Sequence, residues 1–525
     1  MSRILVVDPI AEDGIEALKR QQTVDVRLGL SHEELLDILP TYEALVVRSE
    51  TKVTAEVIAA GQKLQVIGRA GVGVDNIDVE AATARGIVVV NAPSGNTIAV
   101  AEHTLGLIIA AARNITQASA ALKGGRWSRA EFMGVEIRGR TLGVMGLGRI
   151  GTEVARRAVG FEMDVIALDP YIPQEHASRL GVQMVDKDTL LKRSDFLSLH
   201  APATQQTAHA IGADELAQMK PTAWIVNCAR GSLIDEAALL EALDKGTIGG
   251  AALDVFSVEP ANENPLVRHP RVIATPHLAA STQEAQTNVA VELAEQLIAV
   301  LEGRSAPYAV NAPMIPPEVA GILAPFISLA QTLGNVSTQL AAGQTKNVEL
   351  TYTGEIAEHD TSVLRAAVIR GLLESISDEP VNLVNAAVVA RKRGLHIGEQ
   401  KSSTAENFTN LITVKVETDL GTSVVGGTLI NGEPHIVRID DYWVNHVPTG
   451  GQVVLIRHVD RPGMIGKVGT ILGEADINIS SMQVGRARAR GPALMLLSVD
   501  DPVSSEAAQR IQDVTDLTYV KVVRI

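Results

Sequence analysis

The chain has 525 residues, which at roughly 150 residues per domain predicts three to four domains instead of one compact core. Hydrophobic residues make up 46% and charged residues 20%, which excludes a disordered or collagen-like chain. The formal net charge of −15 disfavours nucleic acid and anionic membrane surfaces as partners. The single cysteine, Cys228, excludes an intramolecular disulfide framework, and no stretch approaches ~18 uninterrupted apolar residues. We therefore expect a cytoplasmic protein that does not cross a membrane.

Short apolar runs alternate with helical patterns through the first hundred residues. The runs that predict strands cover 3–7, 44–48, 64–69 and 87–91. Helical patterns lie between them at 12–21, 32–39 and 54–61. This βαβ alternation predicts a parallel, doubly wound sheet. A single Ala-rich helix is predicted next, from Ile98 to about Leu122.

A second alternating series begins at 140–151 and implies a second α/β lobe. Its predicted strands cover 141–146, 164–169, 196–200, 224–229, 250–255 and 272–277. A helix from about Thr282 to Leu301 closes the series. The segment 303–318 follows, and its prolines predict a crossing segment and linker.

The last third of the chain has different patterns. Residues 318–450 mix a predicted helix at 363–375 with β-like runs at 346–354 and 411–418, without a catalytic motif. Residues 452–525 alternate as βαββαβ, the order of a ferredoxin-like module. The prediction is thus two doubly wound parallel lobes, one Rossmann-type and one flavodoxin-like, an α+β domain and a ferredoxin-like module. The predicted boundaries are 1–97 with 282–315, 98–281, 316–450 and 451–525.

Gly146, Gly148 and Gly151 form a G-x-G-x-x-G turn between a strand and a helix. Such glycines permit a tight turn, a close approach of the backbone to a pyrophosphate and close packing of the helix on the strand. The helix amino terminus adds free N–H groups for the phosphates. Asp169 ends the next strand, where a carboxylate accepts hydrogen bonds from ribose hydroxyls and repels a 2′-phosphate. The pattern predicts NAD as cofactor, with the alternative that Asp169 only caps its own turn.

Three further segments, 227–231, 252–260 and 274–281, end predicted strands, where open α/β sheets bind ligands. They supply Arg230, Glu259 and His277, that is, a cation, a carboxylate and an imidazole. An imidazole suits reversible proton transfer near neutrality, and an arginine offers two parallel donors to a carboxylate. Taken singly, the three residues could also be a surface ion pair, a loop acid and a helix-start residue.

With these motifs in this order, residues 1–315 resemble the D-isomer-specific 2-hydroxyacid dehydrogenases. The resemblance implies that Arg230 binds the substrate carboxylate, that His277 is the acid/base and that Glu259 hydrogen-bonds His277. It also implies a set of cofactor contacts beyond the glycines and Asp169, namely Arg149, Ile150, Cys228, Ala229, Arg230, Asp254, His277, Ala279 and Ala280. Cys228 is interpreted as a packed thiol that lines the cofactor site, because nothing nearby in sequence would activate it as a nucleophile.

The substrate residues are predicted from a loop and three arginines. Backbone N–H groups at Val72 and Gly73 could hold a carboxylate, with a plain turn as the alternative. Arg48, Arg69 and Arg129 would add cations for a phosphate. The segment 124–134 around Arg129 resembles the D-3-phosphoglycerate dehydrogenases of this family, in which the loop can reach a neighbouring subunit. A solvated loop arginine is the alternative for Arg129.

The segment 458–479 resembles the ACT small-molecule-binding domain. Asp460 is predicted to cap the following helix and Pro462 to lie in its first turn. Resemblance to the long-form, serine-inhibited enzymes implies that His458, Asp460 and Asn478 bind L-serine across an interface between two modules. A dimerisation module without an effector is the alternative. The helix from Ile98 resembles the family's dimer helix, so a homotetramer is expected.

The expected function is therefore NAD-dependent oxidation of D-3-phosphoglycerate to 3-phosphohydroxypyruvate, the entry to serine synthesis, with feedback control by L-serine and without a metal. Two alternatives remain open from the sequence. One is a hydroxypyruvate or glyoxylate reductase of the same family. The other is a non-enzymatic, NAD-responsive regulator, against which the complete set of Arg230, Glu259 and His277 argues.

Overall fold

The computed structural model describes residues 1–377, 379–404, 407–448, 450–486 and 488–525. Within these residues the chain forms sheets of five, seven, six and four strands in chain order. The first two are parallel, the third is mixed and the fourth is antiparallel. The predicted fold class is confirmed.

The first lobe is a five-stranded parallel sheet with the flavodoxin-like order β2-β1-β3-β4-β5. Its strands are β1 Arg3–Val6, β2 Thr23–Val26, β3 Ala44–Val47, β4 Val66–Arg69 and β5 Val88–Asn91. Its first helices are α1 Glu12–Lys19, α2 His32–Ile38, α3 Ala55–Ala60 and α4 Val79–Ala84. Strand β2 was not predicted, because its short run alternates apolar and polar residues at a half-exposed sheet edge.

The second lobe is a seven-stranded parallel sheet in the order β12-β11-β10-β9-β6-β7-β8. Two helices precede it, α5 Thr97–Arg113 and α6 Ile115–Lys123. Its strands are β6 Thr141–Met145, β7 Asp164–Leu168, β8 Gln183–Met184, β9 Phe196–Leu199, β10 Trp224–Asn227, β11 Gly250–Leu253 and β12 Val272–Ala274. Its other helices are α7 Arg149–Gly160, α8 Gln174–Arg179, α9 Lys187–Arg193, α10 Ala213–Gln218, α11 Glu236–Lys245 and α12 Pro265–Arg268. Both sheets are covered by helices, so their central strands are largely apolar, with Ser198 and Asn227 as buried polar exceptions.

The chain then returns to the first lobe. Helix α13, Gln283–Leu301, packs on α1 and on strands β4 and β5. The proline-rich segment that follows is not only a linker, because Ala309 forms an isolated bridge with Val90 of β5. The N–H of Val310 also donates to the carbonyl of Val89 at 2.7 Å.

The single helix predicted from Ile98 to about Leu122 is wrong. Asn114 adopts a left-handed conformation with φ of 51° and separates α5 from α6, which are bent by 66°. Asparagine tolerates this region better than most residues, so the break lies where the sequence permits it. Among the described residues no single helix is long and apolar enough to cross a membrane, although α5 and α6 together pass that test as a bent pair.

The third sheet has the order β14-β13-β15-β16-β17-β18 and carries helices on one face. Its strands are β13 Thr345–Gly354, β14 His396–Ser402, β15 Asn410–Thr418, β16 Thr422–Ile430, β17 Glu433–Ile439 and β18 Tyr442–His446. Its helices are α14 Ala320–Leu323, α15 Phe326–Leu340, α16 Ser362–Glu374 and α17 Ala386–Lys392. Short 3₁₀ turns occur along the chain at Leu39–Thr41, Ala130–Phe132, Gly231–Leu233, Pro317–Val319 and Glu355–Glu358.

The C-terminal module has the predicted βαββαβ order in an antiparallel sheet, β20-β21-β19-β22. Its elements are β19 Gln452–Val459, α18 Met464–Glu474, β20 Ile479–Arg486, β21 Pro492–Val499, α19 Ser505–Gln512 and β22 Leu517–Arg524. One face of this sheet packs on α18 and α19, whereas the other face joins the core of the third sheet.

The predicted cap of α18 is wrong in detail. Gly463, with φ of 90°, is the residue before the first helical turn, and no side chain caps the helix. Pro462 therefore lies before the helix. The carboxylate of Asp460 instead accepts hydrogen bonds from Arg486 at 2.9 Å and from the N–H of Arg490 at 3.1 Å. These contacts lower the pKa of Asp460, with the Arg486 bond as the largest cause.

Candidate active site

The carboxyl ends of the two parallel sheets face each other across a cleft. Arg230 follows β10 of the second lobe, and its Nε lies 3.2 Å from Oδ2 of Asp75, which follows β4 of the first lobe. Arg230 Nη1 also donates to the carbonyl of Ala229 at 2.7 Å. A Cβ on Gly73 would lie 1.7 Å from Arg230 Nη2, so the loop after β4 passes directly beside this guanidinium. Arg230 therefore lies where the two lobes meet.

His277 and Glu259 form a hydrogen-bonded pair at the same edge of the second lobe. His277 Nδ1 lies 2.8 Å from Glu259 Oε2, and Oε1 of that carboxylate accepts the N–H of Phe256 at 3.0 Å. Because a carboxylate only accepts, Nδ1 carries the proton in this pair. Nε2 has no partner among the described residues, and the imidazole is 49% exposed. The pair lines a cavity of about 450 Å³ that includes Ser49 of the first lobe.

Asp254, which is fully buried at the end of β11, holds the turn that carries His277 in place. Its carboxylate accepts hydrogen bonds from the Thr275 hydroxyl at 2.6 Å and from the N–H groups of Leu278 and Ala279 at 2.8 and 2.9 Å. Burial acts to raise the pKa of Asp254, but His103 at 3.3 Å and these donors outweigh it, so the pKa is lowered. Asp254 is thus held as a buried anion.

Three arginines gather on the substrate side of the cleft. Arg69, at the end of β4, has a buried Nε that finds no hydrogen-bond partner in the described part of the chain. Burial, followed by the charge of Arg230, lowers the pKa of Arg69 to about 10, and Arg48 adds to the effect. Arg48 lies in a loop held by the buried Asp8, which accepts the Arg48 N–H at 2.6 Å. The cleft therefore holds positive charge that its own residues leave partly uncompensated.

The loop after β4 also presents backbone donors. The N–H groups of Val72 and Gly73 have no intramolecular acceptor among the residues that the structure describes. The loop is fixed by Asn91, whose side-chain amide donates to the carbonyl of Val72. Arg129, in contrast, is exposed on the segment between α6 and β6 and makes no hydrogen bond or ion pair with the cleft within the described ranges. The structure thus brings Arg48, Arg69, Val72 and Gly73 together, but not Arg129.

The glycine-rich turn between β6 and α7 has the shape that a dinucleotide requires. Gly146 has φ of 95°, and a Cβ on Gly151 would lie 2.0 Å from the carbonyl oxygen of Gly146. A Cβ on Gly148, however, would meet no atom of the described chain within 4 Å, so this position opens outward. The N–H groups of Arg149 and Ile150 in the first turn of α7 have no acceptor among the described residues. The turn is therefore free to receive a phosphate, and the residues fit NAD.

Asp169 at the end of β7 is half-buried beside this turn. Its Oδ2 accepts the N–H of Leu147 at 2.8 Å, and its Oδ1 accepts the N–H of Tyr171 at 2.9 Å. Asp169 thus both ties the glycine turn to β7 and caps its own turn. Each carboxylate oxygen retains a second lone pair for an additional donor, such as a ribose hydroxyl.

The remaining predicted cofactor residues surround the same edge of the sheet. Cys228 is buried, and burial, the largest cause, raises the pKa of its thiol to about 12. The N–H of Ala229 donates to Asn227 at 3.0 Å, and the carbonyl of Ala280 accepts from Gln286 at 2.8 Å. Over the described ranges, no group of three or more His, Cys, Asp or Glu side chains is placed to hold a metal ion.

Sequence reasoning missed the supporting residues His103, Thr275, Asp75 and Asp8. His103 lies on α5, which is otherwise largely apolar, and its position there is the one signal that could have pointed to it. The partners of the other three come from distant parts of the chain, so no local pattern identifies them.

The predicted effector residues are separated within one chain. His458 is buried, with Nδ1 3.0 Å from the Val459 carbonyl and Nε2 without a partner in the described chain. Asp460 follows β19, whereas Asn478 precedes β20 and donates to Asp500. Both strands pair antiparallel with β21, so they run parallel and these two residues lie at opposite ends of the sheet.

The fold and the cleft together define a class, that of the nicotinamide-dependent dehydrogenases. Comparison with known families agrees. Residues 105–279 match the NAD binding domain of the D-isomer specific 2-hydroxyacid dehydrogenases. Residues 322–440 match the D-3-phosphoglycerate dehydrogenase intervening domain, and residues 452–516 match the ACT domain.

Individual relatives resemble the whole chain. A D-3-phosphoglycerate dehydrogenase of Methanocaldococcus jannaschii is 48% identical over 526 residues, with all of both chains covered. One of Synechocystis is 46% identical over 100% of this chain and 95% of its own. The solved structure of a glyoxylate reductase from Paecilomyes thermophila superposes with a TM-score of 0.54 at 33% identity, covering 59% of this chain and 98% of that one. The chain belongs to the D-3-phosphoglycerate dehydrogenase family.

Proposed function

We propose that this enzyme oxidises D-3-phosphoglycerate to 3-phosphohydroxypyruvate with NAD, the first step of serine synthesis by the phosphorylated route. The observation that supports this substrate most directly is the state of Arg69. Its guanidinium is buried beside Arg230 and Arg48, and its Nε lacks an acceptor within the described residues. A substrate with both a carboxylate and a phosphate supplies the negative charge and the acceptors that this cluster lacks.

The roles of the residues follow from their positions. Arg230 and the N–H groups of Val72 and Gly73 bind the substrate carboxylate, and Arg48 and Arg69 bind the phosphate. His277 Nε2 takes the proton of the C2 hydroxyl, and Glu259 stabilises the imidazolium that results. NAD, when bound, accepts a hydride from C2 of the substrate.

The cofactor is held at two places. The α7 amino terminus and the open position at Gly148 receive the pyrophosphate, and Asp169 accepts a hydrogen bond from the ribose. The wall around the nicotinamide is formed by five residues, Cys228, Ala229, Asp254, Ala279 and Ala280.

The alternatives fit the cleft less well. A glyoxylate or hydroxypyruvate reductase needs no cations beyond those for one carboxylate, whereas Arg48 and Arg69 add two. A regulator without activity needs no paired imidazole and carboxylate, whereas His277 and Glu259 lie 2.8 Å apart and open to the cleft.

The test is a measurement of NADH formation at 340 nm with D-3-phosphoglycerate, D-glycerate and D-lactate as substrates. We expect kcat/KM for the phosphorylated acid to exceed the other two by about a hundredfold or more, because two arginines bind the phosphate. Equal or better use of the unphosphorylated acids would reject the proposed substrate.

A control variant separates chemistry from binding. His277→Ala is expected to lower turnover by about a hundredfold or more, because it removes the acid/base, while NADH affinity stays close to that of the wild type. Unchanged turnover would remove His277 from the mechanism.

We further propose a homotetramer, located in the cytoplasm and inhibited by L-serine at the ACT module. Large apolar side chains support self-association, since Trp127 is 80% exposed and Met133 82% exposed on the segment after α6. In a tetramer this segment would be covered by a second copy, and Arg129 beside it would reach the neighbouring cleft.

A further inference from the structure

A cavity of about 800 Å³ separates the first lobe from the intervening domain. On the lobe side it is bounded by the residues just before β4 and β5 and by the segment after α13. On the other side it is bounded by α16, α17 and the residues between them. It lies at the amino ends of β4 and β5, whereas the substrate cleft lies at their carboxyl ends. None of the cleft residues line it.

The wall of this cavity is strongly basic. Its charged side chains are five cations and one acid, namely Lys63, Arg85, Arg304, Arg370, Lys392 and Glu379. The chain as a whole carries a formal net charge of −15, so its composition does not lead one to expect a cluster of cations. Cations collected in one place repel one another, so the cluster is costly unless an anion joins it.

Only part of this charge is compensated inside the described protein. Arg304 pairs with Glu302, with 3.0 Å between Nε and Oε2, and Arg85 donates to the carbonyl of Ala59 at 3.0 Å. Lys63, Arg370 and Lys392 make no ion pair within the described ranges. The Nε of Arg370 is also buried and without an acceptor there. A buried guanidinium N–H without an acceptor points to a missing ligand.

The walls are held in place. Asn382 of the intervening domain donates its amide to the carbonyl of Gly86 in the first lobe at 2.7 Å. Gly86 has φ of 73°, and a Cβ there would lie 2.7 Å from Asn382 Nδ2, so the contact depends on glycine. The volume lies in the usual range for small-molecule sites, about 300–1,000 Å³.

We propose that this cavity is a second anion site, which binds a small phosphate-bearing ligand between the first lobe and the intervening domain. Lys63 contributes from the lobe, and Arg370 and Lys392 contribute from the intervening domain. A phosphate monoester dianion has three terminal oxygens and two negative charges, so it can satisfy more ammonium and guanidinium donors than a single carboxylate can. The ligand is either free phosphate or an organic phosphate monoester.

The cavity is connected to the substrate cleft through two strands of the first lobe. Strand β4 connects the cavity edge to Arg69, and β5 connects it to Asn91, which holds the Val72 loop. A ligand that bridges the cavity therefore joins the intervening domain to the amino ends of the strands whose carboxyl ends carry the substrate residues.

The test is hydrogen–deuterium exchange of the full chain, read by mass spectrometry, with inorganic phosphate added at constant ionic strength against sodium chloride. Phosphate is expected to slow exchange in two separate regions, the cleft loop 69–78 and the cavity segments 62–65 and 379–392. The double variant Lys63→Gln/Lys392→Gln changes two exposed lysines of the cavity wall. In this variant the phosphate concentration that gives half-maximal protection of the cavity segments should rise about tenfold or more. The concentration that gives half-maximal protection of 69–78 should stay unchanged.

The matched control is Lys346→Gln/Lys467→Gln, which removes the same charge from exposed positions outside both sites and should behave as the wild type. Glycerol 3-phosphate in a parallel arm distinguishes the source, since the stronger protector of the cavity segments is the natural class of ligand. The proposal is overturned if the cavity segments are not protected when 69–78 is, or if the Lys63/Lys392 pair is protected as well as the control. Because no turnover is measured, either result leaves the proposed reaction to its own test.

Discussion

Arg69 carries a positive charge into a place where burial and two neighbouring cations oppose it. With a pKa lowered to about 10 it remains protonated at neutral pH, so the repulsion persists in the free protein. A bound dianion removes this repulsion and supplies the acceptor that Nε lacks. The proposed binding of a phosphorylated substrate would therefore be favoured by electrostatics already present in the unliganded fold.

Cys228 provides a residue-scale test of the cofactor wall. Burial raises the pKa of its thiol to about 12. At pH 8 the thiolate fraction should be roughly a thousandfold below that of an unperturbed cysteine, and alkylation needs the thiolate. The rate of iodoacetamide labelling of the native protein is expected to be lower by about that factor than in denaturant, and to rise with pH up to about 12. Since the chain has one cysteine, the mass of the whole protein reports the reaction.

The comparison for this prediction is the same protein unfolded in guanidinium chloride. Labelling of the native chain at pH 8 as fast as that of the unfolded chain would show an activated thiolate. The interpretation of Cys228 as a packed thiol would then be wrong.

Single residues of the cleft were predictable to the extent that their partners are local. Arg230, Glu259 and His277 follow strands in short motifs, so their common location at one sheet edge follows from the fold class. Asp75 approaches Arg230 only because the two lobes face each other, across 155 positions of sequence. The role of each of the three residues stays a prediction until the assays are done.

At the scale of elements, the turn between β6 and α7 contains one glycine that the packing of the fold requires and one that the proposed cofactor contact requires. Gly151 packs against the carbonyl of Gly146, whereas Gly148 faces open space. The φ of Gly148 is −71°, which any residue can adopt. The two glycines therefore serve different purposes, although they belong to one motif.

Substitution with valine should distinguish them. Gly148→Val is expected to leave the thermal midpoint within about 2 °C of the wild type and to weaken NADH binding about tenfold or more, because the side chain fills the phosphate position. Gly151→Val should destabilise the second lobe by about 3 kcal/mol, because its Cβ overlaps the Gly146 carbonyl. Circular dichroism gives the midpoints and NADH fluorescence gives the affinities. Normal NADH affinity of folded Gly148→Val would contradict the placement of the pyrophosphate at this turn.

Elements with a regular hydrophobic period and clear end signals could be predicted from the sequence. Elements whose course depends on the conformation of single residues could not. Helices α5 and α6 read as one helix because the apolar pattern continues through Asn114, whose left-handed conformation is a single-residue event. In the intervening domain, β16 contains Gly426 and Gly427, which weaken a strand pattern, and the close approach of α15 to α16 requires glycine at Gly334 and Gly371. The Cβ that alanine would add at Gly334 would lie 2.1 Å from the carbonyl of Val368.

At the scale of the whole molecule, the ACT module is not packed as an isolated unit. The inner face of its sheet contributes Val453, Leu455 and Leu494 to the same core as helix α15 of the intervening domain. The backbone of Arg524 also pairs with Gln339 of α15, accepting one hydrogen bond and donating another at 2.8 Å. The module therefore contacts the intervening domain directly, and the intervening domain in turn borders the first lobe at Asn382 and Gly86.

The positions of Asp460 and Asn478 determine how the proposed L-serine site would be built. Val459 pairs with Pro492 and Ile479 pairs with Val499, seven residues apart on β21, so the strand ends beside Asp460 and Asn478 are separated by about 24 Å along β21, at about 3.4 Å per residue. One serine cannot contact both residues of one module. Two modules related by a twofold axis, side by side and antiparallel, bring Asp460 of one to Asn478 of the other, and each interface then contains two sites.

Mixed oligomers of two variants test this arrangement. Asp460→Ala and Asn478→Ala enzymes should each lose serine inhibition, because each damages both sites of its interface. In an interface formed by one chain of each kind, one site carries both substitutions and the other carries neither.

Co-expressed and doubly affinity-purified hybrids should therefore regain roughly half of the wild-type inhibition, measured as the fraction of each sample's own NADH-forming rate that L-serine abolishes. Asp513→Ala, an exposed change directly after α19, is the matched control and should keep full inhibition. Hybrids that stay as insensitive as their parents would contradict a site shared between modules, because the intact site they must contain would then bind no effector.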